Sequence, residues 1–305
     1  MTTRQRIRVP AGAAERIDRV LARALSGFSR RRLQQFLDEG LVRVDGRRMR
    51  KGEVVSGGRE IEVEVLAGTV PELPLEPEPA LPLLFEDASC VAIDKPAGRP
   101  GHALRSGERG TVANFLAARF PECVAAGGRP LEAGLVHRLD TWTSGVLLAA
   151  RSREAWRALC RQFAAQTVEK RYLALVHGVV VRDGQSTRAL GSDPRNRRRV
   201  RVLEEASSEG RPAVTRFHPI VRGVDTTLLE VEIPTGSRHQ IRAHLAAIGH
   251  PVVGDVLYGG GPIAGERHLL HAARLEFDHP ASGERITIES PLPPDFEAAM
   301  RRRGL

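Results

Sequence analysis

The sequence predicts an α+β protein of two unequal parts: a small N-terminal unit of helices and a short hairpin, then a larger domain on a mixed, mainly antiparallel sheet. Three observations carry this. Residues 15–65 change from helical spacing to period-two alternation, and residues 67–82 are rich in proline. Beyond them, short apolar runs are interspersed with helical patterns, without the regular alternation of strand and helix that a doubly wound sheet needs. At 305 residues the chain can bury a core of this kind with a smaller unit beside it.

Ile17, Val20, Leu21, Ala24 and Leu25 recur on one helix face. Ser29 is placed as the N-cap of a second helix whose apolar face is Leu33, Phe36 and Leu37, and Gly40 ends it. Residues 41–44 alternate into the Asp45-Gly46 turn, and Ile61, Val63 and Val65 alternate after Gly57-Gly58. These elements assign residues 1–66 to one unit. Pro71, Pro74, Pro77, Pro79 and Pro82 disfavour helix and remove backbone donors, so residues 67–82 are expected to form a semi-rigid linker. Strand-like runs at 90–93, 145–150, 172–176, 228–233 and 286–289, with helical patterns at 112–120 and 155–165, give residues 83–305 to the larger domain.

Lys plus Arg number 46 against 37 Asp plus Glu, a net charge of +9, and such a surface attracts polyanions. Cys90, Cys123 and Cys160 are odd in number and widely spaced, which suits neither a disulfide framework nor paired zinc ligands. With no apolar leader at the start and no apolar stretch of spanning length, the expectation is a cytoplasmic protein away from membranes, and a monomer. His239 with His244, and His268 with His271, match no common metal spacing, so no catalytic metal is expected.

The segment Leu135-Val136-His137-Arg138-Leu139-Asp140-Thr141-Trp142-Thr143-Ser144-Gly145 places polar residues at the entry to the apolar run 146–150. A carboxylate there needs a partner, because a desolvated charge is costly when unpaired. By itself an Asp in a turn before a strand is usually a structural cap. The segment resembles the hallmark of the RluA family of pseudouridine synthases, an HRLD run followed by TSG. The resemblance extends from about residue 86 to the C-terminus through Asp94-Lys95-Pro96-Ala97-Gly98, Lys170-Arg171-Tyr172-Leu173-Ala174-Leu175-Val176, and Thr235-Gly236-Ser237-Arg238-His239-Gln240-Ile241-Arg242. His244-Leu245, Gly249-His250-Pro251 and Gly254-Asp255 continue it.

This resemblance implies a catalytic domain of pseudouridine synthase type that isomerises uridine in RNA without a cofactor. It puts Asp140 at the essential aspartate, Tyr172 at the active-site tyrosine and Arg242 at the arginine paired with the aspartate. It also makes Arg138, His137, Thr143, Arg238, His239 and Gln240 the expected substrate-binding residues. Two departures bear on site preference: Ser237 stands where the family commonly has a basic residue, and Thr141-Trp142 where it often has a charged pair.

The run SRRRLQQFLDEGLVRVDG resembles the S4 RNA-binding domain, which implies that Arg30, Arg31, Arg32 and Arg43, with Arg47 and Arg48, face RNA. A second basic run, 195–201, includes Arg197 and Arg198 and reads as a loop that offers guanidinium groups to phosphates, with a merely solvated loop as the alternative.

Pseudouridylation cuts the bond from ribose to the base nitrogen, turns the uracil and rejoins it through carbon 5. A carboxylate serves as nucleophile, towards the ribose or towards carbon 6 of the ring, provided that it is ionised, and a guanidinium beside it favours that form. A tyrosine offers a stacking face and a hydroxyl for the proton of carbon 5. The uridine must leave its stack, which backbone contacts offset. Trp142 and Trp156 are expected to pack rather than to stack on RNA. The partner expected is RNA, ribosomal in preference to transfer RNA. Glycoside hydrolysis would need a second carboxylate that the signature lacks, and a non-catalytic RNA-binding or ribosome-assembly protein would not need Asp140, Tyr172 and Arg242 together.

Overall fold

The computed structural model describes residues 2–12, 14–25, 28, 30–66, 72–204, 209–261 and 267–305, with the side chains of 2, 3, 31, 65 and 66 left aside. Ser29, expected as a helix cap, and the side chain of Arg31 therefore lie outside the described residues.

The N-terminal unit runs β1 (Thr2–Arg8), β2 (Glu15–Arg16), α1 (Ile17–Ala24), α2 (Arg30–Asp38), β3 (Val42–Val44), β4 (Arg47–Arg48), β5 (Val54–Val55) and β6 (Glu60–Leu66). The apolar faces anticipated for α1 and α2 meet Val42, Ile61 and Val63 in a common core, except that Ala24, at the end of α1, is exposed. Asp45 and Gly46 both take positive φ, 49° and 79°, the geometry that a two-residue hairpin demands, and they join β3 to β4. β1 was not anticipated. Its residues are nearly all polar, and its place comes from antiparallel pairing with β6, where Arg4, Arg6 and Arg8 face Glu64, Glu62 and Glu60.

The expected linker is corrected where it is described, at residues 72–82. The Glu72 N–H donates to Ser106 Oγ at 2.9 Å, Asn114 Nδ2 donates to the Pro74 carbonyl at 2.8 Å, and the Glu76 carboxylate accepts from the Gly110 N–H at 2.6 Å. Leu81 is buried in the core of the large domain and Leu73 packs against it. The prolines do prevent helix, but the apolar and acidic residues between them find partners, so the segment is a strap on the larger domain.

That domain contains β7 (Leu83–Glu86), β8 (Cys90–Lys95), α3 (Val112–Arg119), α4 (Glu122–Ala126), β9 (Ser144–Ala150), α5 (Arg153–Ala165), β10 (Glu169–His177), β11 (Gly184–Ser186), β12 (Leu190–Ser192) and β13 (Val200–Val202). It continues with β14 (Thr215–Arg222), β15 (Thr226–Glu232), α6 (Gln240–Ala247), β16 (Leu270–Asp278), β17 (Arg285–Glu289) and α7 (Pro294–Arg301). The main sheet has the order β11-β14-β15-β10-β16-β9-β8-β7, with β17 also on β16. Every pair is antiparallel except β16 with β9. The mainly antiparallel expectation is met.

β9 is buried throughout, and its alternation feeds two cores: Leu147 and Ala149 join residues of α3 and α6, while Val146, Leu148 and Ala150 join residues of α5. Its pairing with β16 is confined to Ser144 opposite His271 and Gly145 opposite Ala272, after which β17 takes over that edge. Gly145 sits at φ +113°, and a Cβ there would run into the Ala272 carbonyl. Only glycine lets β9 approach at the point where the chain leaves the Asp140 turn.

Candidate active site

Asp140 opens a turn that the Thr143 N–H closes on its carbonyl at 3.0 Å. Three sets of bonds hold this turn. The Thr141 carbonyl accepts from the Gly98 N–H and from the wholly buried Lys95 ammonium, both at 2.9 Å, and the same ammonium donates to the Pro96 and Arg99 carbonyls. Three acceptors match the three N–H groups of an ammonium. Thr143 shares a hydrogen bond with His268 Nε2 at 2.9 Å, and Ser144 with His271 Nδ1 at 2.9 Å. Upstream, His137 Nε2 accepts from the Leu148 N–H at 3.0 Å while its ring stacks on Phe163.

The carboxylate reaches Arg242 on α6, whose Nη1 donates to Asp140 Oδ2 at 2.8 Å. The rest of the guanidinium is claimed by Asp255: Nε donates to Oδ2 at 2.6 Å and Nη2 to Oδ1 at 2.8 Å. Asp255 is in turn fixed by the Leu257 and Tyr258 N–H groups, and the Tyr258 ring lies 5.2 Å from the Arg242 Cζ. A bidentate clamp of this kind sets the guanidinium plane, and with it the position of Nη1. Asp140 Oδ1 makes no hydrogen bond among the described residues; His239 Nε2 stands 3.8 Å away.

Burial opposes the charge on Asp140, but His239 and Arg242 outweigh it and hold the carboxyl below its ordinary pKa. Burial also pushes His239 down to about 4, against the pull of Asp140. The imidazole is therefore neutral near pH 7, and Arg242 is the permanent counter-charge. The Tyr172 hydroxyl is pushed upward by burial first and by Asp140 second, so it stays protonated.

Asp140, Tyr172 and Arg242 share a cavity of about 300 Å³, within the size of small-ligand sites, whose apolar wall includes Leu139, Ile233 and Leu270. The sequence expectation thus assembles three distant segments at one point. Arg138 is exposed at the mouth, and His239 begins α6 with a left-handed backbone, φ 54°. His137, Thr143 and Gln240 also line the cavity, where His137 Nε2, the Thr143 hydroxyl and the Gln240 amide already have partners inside the protein. Gln240 accepts from the Ser237 N–H at 3.0 Å and donates to the Val214 carbonyl at 2.8 Å, so it shapes the loop before α6. Arg238 donates from Nη2 to the carbonyls of Arg197 and Arg199, tying the basic loop between β12 and β13 to the site.

Four further residues were not assigned a role from sequence: Asp255, Lys95, His268 and Lys170. Lys170 borders the cavity and donates to the Pro234 carbonyl at 2.9 Å. Asp255, Lys95 and Lys170 stood inside quoted motifs, but residue type alone does not reveal which partner a buried charge will find.

Of the arginines expected to face RNA, Arg30, Arg47, Arg48, Arg197 and Arg198 are exposed. Arg32 lies over the Phe36 ring at 4.8 Å, and Arg43 donates to the Gly46 carbonyl at 3.4 Å. Asp87, Cys90 and His279 are the one group among the described residues with ligand atoms close enough for a metal. The Asp87 carboxylate already accepts from the N–H groups of Ser89 and Cys90 and bonds His279 Nε2 at 2.7 Å, and burial pushes the Cys90 thiol up to about 12. That donor set works as a hydrogen-bonded turn cap.

Residues 89–247 match the RNA pseudouridylate synthase family, and residues 15–61 match the S4 domain. The chain is 37% identical over 311 residues to ribosomal large subunit pseudouridine synthase D of Xanthomonas campestris, covering 97% of this chain and 91% of that one. It is 41% identical over 297 residues to an uncharacterized RNA pseudouridine synthase of Chloroflexus aurantiacus, covering 96% and 91%. Among solved structures, human RNA pseudouridylate synthase domain containing 1 superposes with a TM-score of 0.57 at 25% identity, over 74% of this chain and 89% of that one. With the motif residues gathered around one ionised aspartate and a match over more than half of its length, the chain belongs to the RNA pseudouridylate synthase family.

Proposed function

We propose that this RNA pseudouridine synthase acts on uridine in large-subunit ribosomal RNA, with Asp140 as its nucleophile. The observation that carries the reading is the state of Asp140: one carboxylate oxygen is held by Arg242 Nη1 at 2.8 Å, and the other, at the wall of the cavity that Tyr172 shares, has no hydrogen bond among the described residues. An anion bound on one side keeps its charge and still presents a lone pair. The substrate class rests on the names of the relatives from Xanthomonas campestris and Neisseria meningitidis, both ribosomal large subunit pseudouridine synthases.

In this reading a uridine leaves its stack and enters the cavity, and Oδ1 attacks the ribose or carbon 6 of the ring. The bond from carbon 1′ to nitrogen breaks, the uracil turns, and carbon 5 bonds to carbon 1′. The proton on carbon 5 then leaves and the carboxylate is released unchanged, so the reaction balances with no redox partner. Tyr172, a phenol at neutral pH, gives the uracil a flat face and relays that proton. The dry wall of Leu139, Ile233 and Leu270 keeps water from a detached base. Arg138 at the mouth contacts the phosphate of the flipped nucleotide, and the N-terminal unit, through Arg30 and its neighbours, adds affinity from a distance.

Chemical mapping of pseudouridine in cellular RNA, with and without this protein, tests the reading. A large-subunit site lost on deletion is expected to return with the parent gene and not with Asp140→Asn. The same variant should hold RNA within a few fold of the parent, because phosphate contacts supply most of the affinity. Product from purified Asp140→Asn would sink the assignment.

A further inference from the structure

The structure separates two tryptophans that the sequence treats alike. Trp156 packs against the core of β9 and α5, and its Nε1 donates to the Leu135 carbonyl at 3.4 Å. Trp142 is 55% exposed, a large apolar surface that packing does not explain.

Trp142 is the third residue of the Asp140 turn, and its backbone is fixed: its carbonyl accepts from Arg267 Nη1 at 3.2 Å, and that of Thr141 from Lys95 and Gly98. Beneath the ring lies Gly98, at φ +84°, where an added Cβ would stand 3.0 Å from the indole Cζ3. The indole therefore rests on backbone. In front of it opens a groove of about 850 Å³ that shares Asp140 and Arg242 with the uridine cavity and carries Arg138, Arg198 and Arg238 along its walls. Leu104 and Val256, both exposed, add apolar surface to the same groove.

We propose that Trp142 is a stacking platform for a nucleobase that neighbours the target uridine. The proposal rests on the reading that RNA presents a flipped uridine to Asp140. Once that nucleotide leaves its stack, the adjoining base loses a face, and an indole two turn positions from the nucleophile lies within reach of it. Every base has a π-face, so the contact tolerates sequence, and the surrounding guanidinium groups take the phosphates. A side chain mounted on a fixed turn loses little freedom on binding. Trp142 thereby favours targets whose flanking base is free to unstack, which makes it a determinant of site choice.

The chain has two tryptophans, so the full-length Trp156→Phe variant reports on Trp142 alone. Titration with a short single-stranded uridine-rich RNA is expected to quench its emission, and salt to restore it. On a large-subunit ribosomal RNA transcript, Trp142→Ala should raise KM about 5- to 150-fold, the span of one lost base stack, with kcat within about twofold. Trp142→Phe should stay within about threefold of the parent in KM. An unchanged KM in Trp142→Ala, or emission indifferent to RNA, would overturn the platform while leaving the enzyme reading intact. No pseudouridine from the parent chain would overturn both.

Discussion

The sheet face of β1 and β6 and the clamp on Asp140 use the same chemistry, arginine against carboxylate, in opposite surroundings. On the sheet, Arg4 reaches Glu64 at 3.2 Å and Arg6 reaches Glu62 at 3.3 Å, with both arginine side chains 68% exposed. In the site, the Arg242 side chain is 7% exposed and its partners Asp255 and Asp140 are 1% and 17% exposed. Water screens the first set and makes each pair nearly dispensable. In the second, desolvation makes any unpaired charge expensive, so the ions must be placed together or not at all. The buried cluster also has two carboxylates for one guanidinium, and near neutral pH His239 adds no charge. What burial secures there is a defined, partly uncompensated anion.

The sharpest way to break this comparison is Asp255→Asn. It leaves Arg242 without its bidentate anchor while Asp140 still balances its charge, so the loss is that of charge-assisted hydrogen bonding, about 1.5–3 kcal/mol. Denaturant unfolding of the full chain should show a loss of that order. Single-turnover rates should fall about a hundredfold or more, since a misplacement near 1 Å costs that much, with RNA affinity little changed. Wild-type stability and rate in this variant would show that the clamp is idle.

Much of this site was legible beforehand. The HRLD and TSG segments pointed to Asp140, and the later signatures to Tyr172 and Arg242, because motif spacing fixes sequence position. What spacing does not carry is partnership across the fold. Asp255 lies thirteen residues beyond Arg242, and only the path of the chain after α6 brings it back to the guanidinium. The fold shows the same division. Helices α1 and α2 and the Asp45-Gly46 turn were readable from local periodicity. β1, polar along nearly its whole length, exists through the strand it pairs with, and the strap at 72–82 through side chains lying between prolines.

A second test uses pH. Burial is the first cause that pushes His239 down to about 4 and both His137 and His268 to about 3. Each is neutral in the folded chain while its unfolded counterpart titrates near 6.5. The unfolded state thus binds more protons below that value, and stability must fall as pH drops from about 6.5 towards the folded pKa values. Each group contributes up to about 1.4 kcal/mol per pH unit. Residues 1–66 contain no histidine. Hydrogen exchange on the full chain from pH 7 to pH 5, corrected for intrinsic rates, should show protection lost around β9 and α6 but level in β3 and β6. Parallel losses in both regions would refute the buried-histidine account.

The exposed arginines that find no carboxylate next to them among the described residues form an intermediate case. Arg197 and Arg198 are solvated at the tip of the loop between β12 and β13, and Arg238 holds that loop from below. Replacing both with Ala should weaken RNA binding a few fold at ordinary salt. It should also flatten the plot of log affinity against log salt by about 0.7 per lost phosphate contact, the value for a single strand. An unchanged slope would return the loop to the status of a solvated surface.

The smallest effect is expected at Arg6, and it completes the comparison. Arg6→Ala removes contacts to Glu60 and Glu62 at 3.5 Å and 3.3 Å, but both carboxylates remain hydrated. Thermal unfolding should change by no more than about 0.5 kcal/mol. The pairs across β1 and β6 nonetheless record the register: Arg4, Arg6 and Arg8 fall opposite Glu64, Glu62 and Glu60, and a slip of one residue would turn Ile7 away from the core face it shares with Ile61. Arg6→Glu should therefore cost more than Arg6→Ala, about 0.2–1 kcal/mol, because it sets like charges opposite one another. If the two variants proved equally stable, charge would have no part in aligning β1, and the half-buried Ile7 contact alone would set its register.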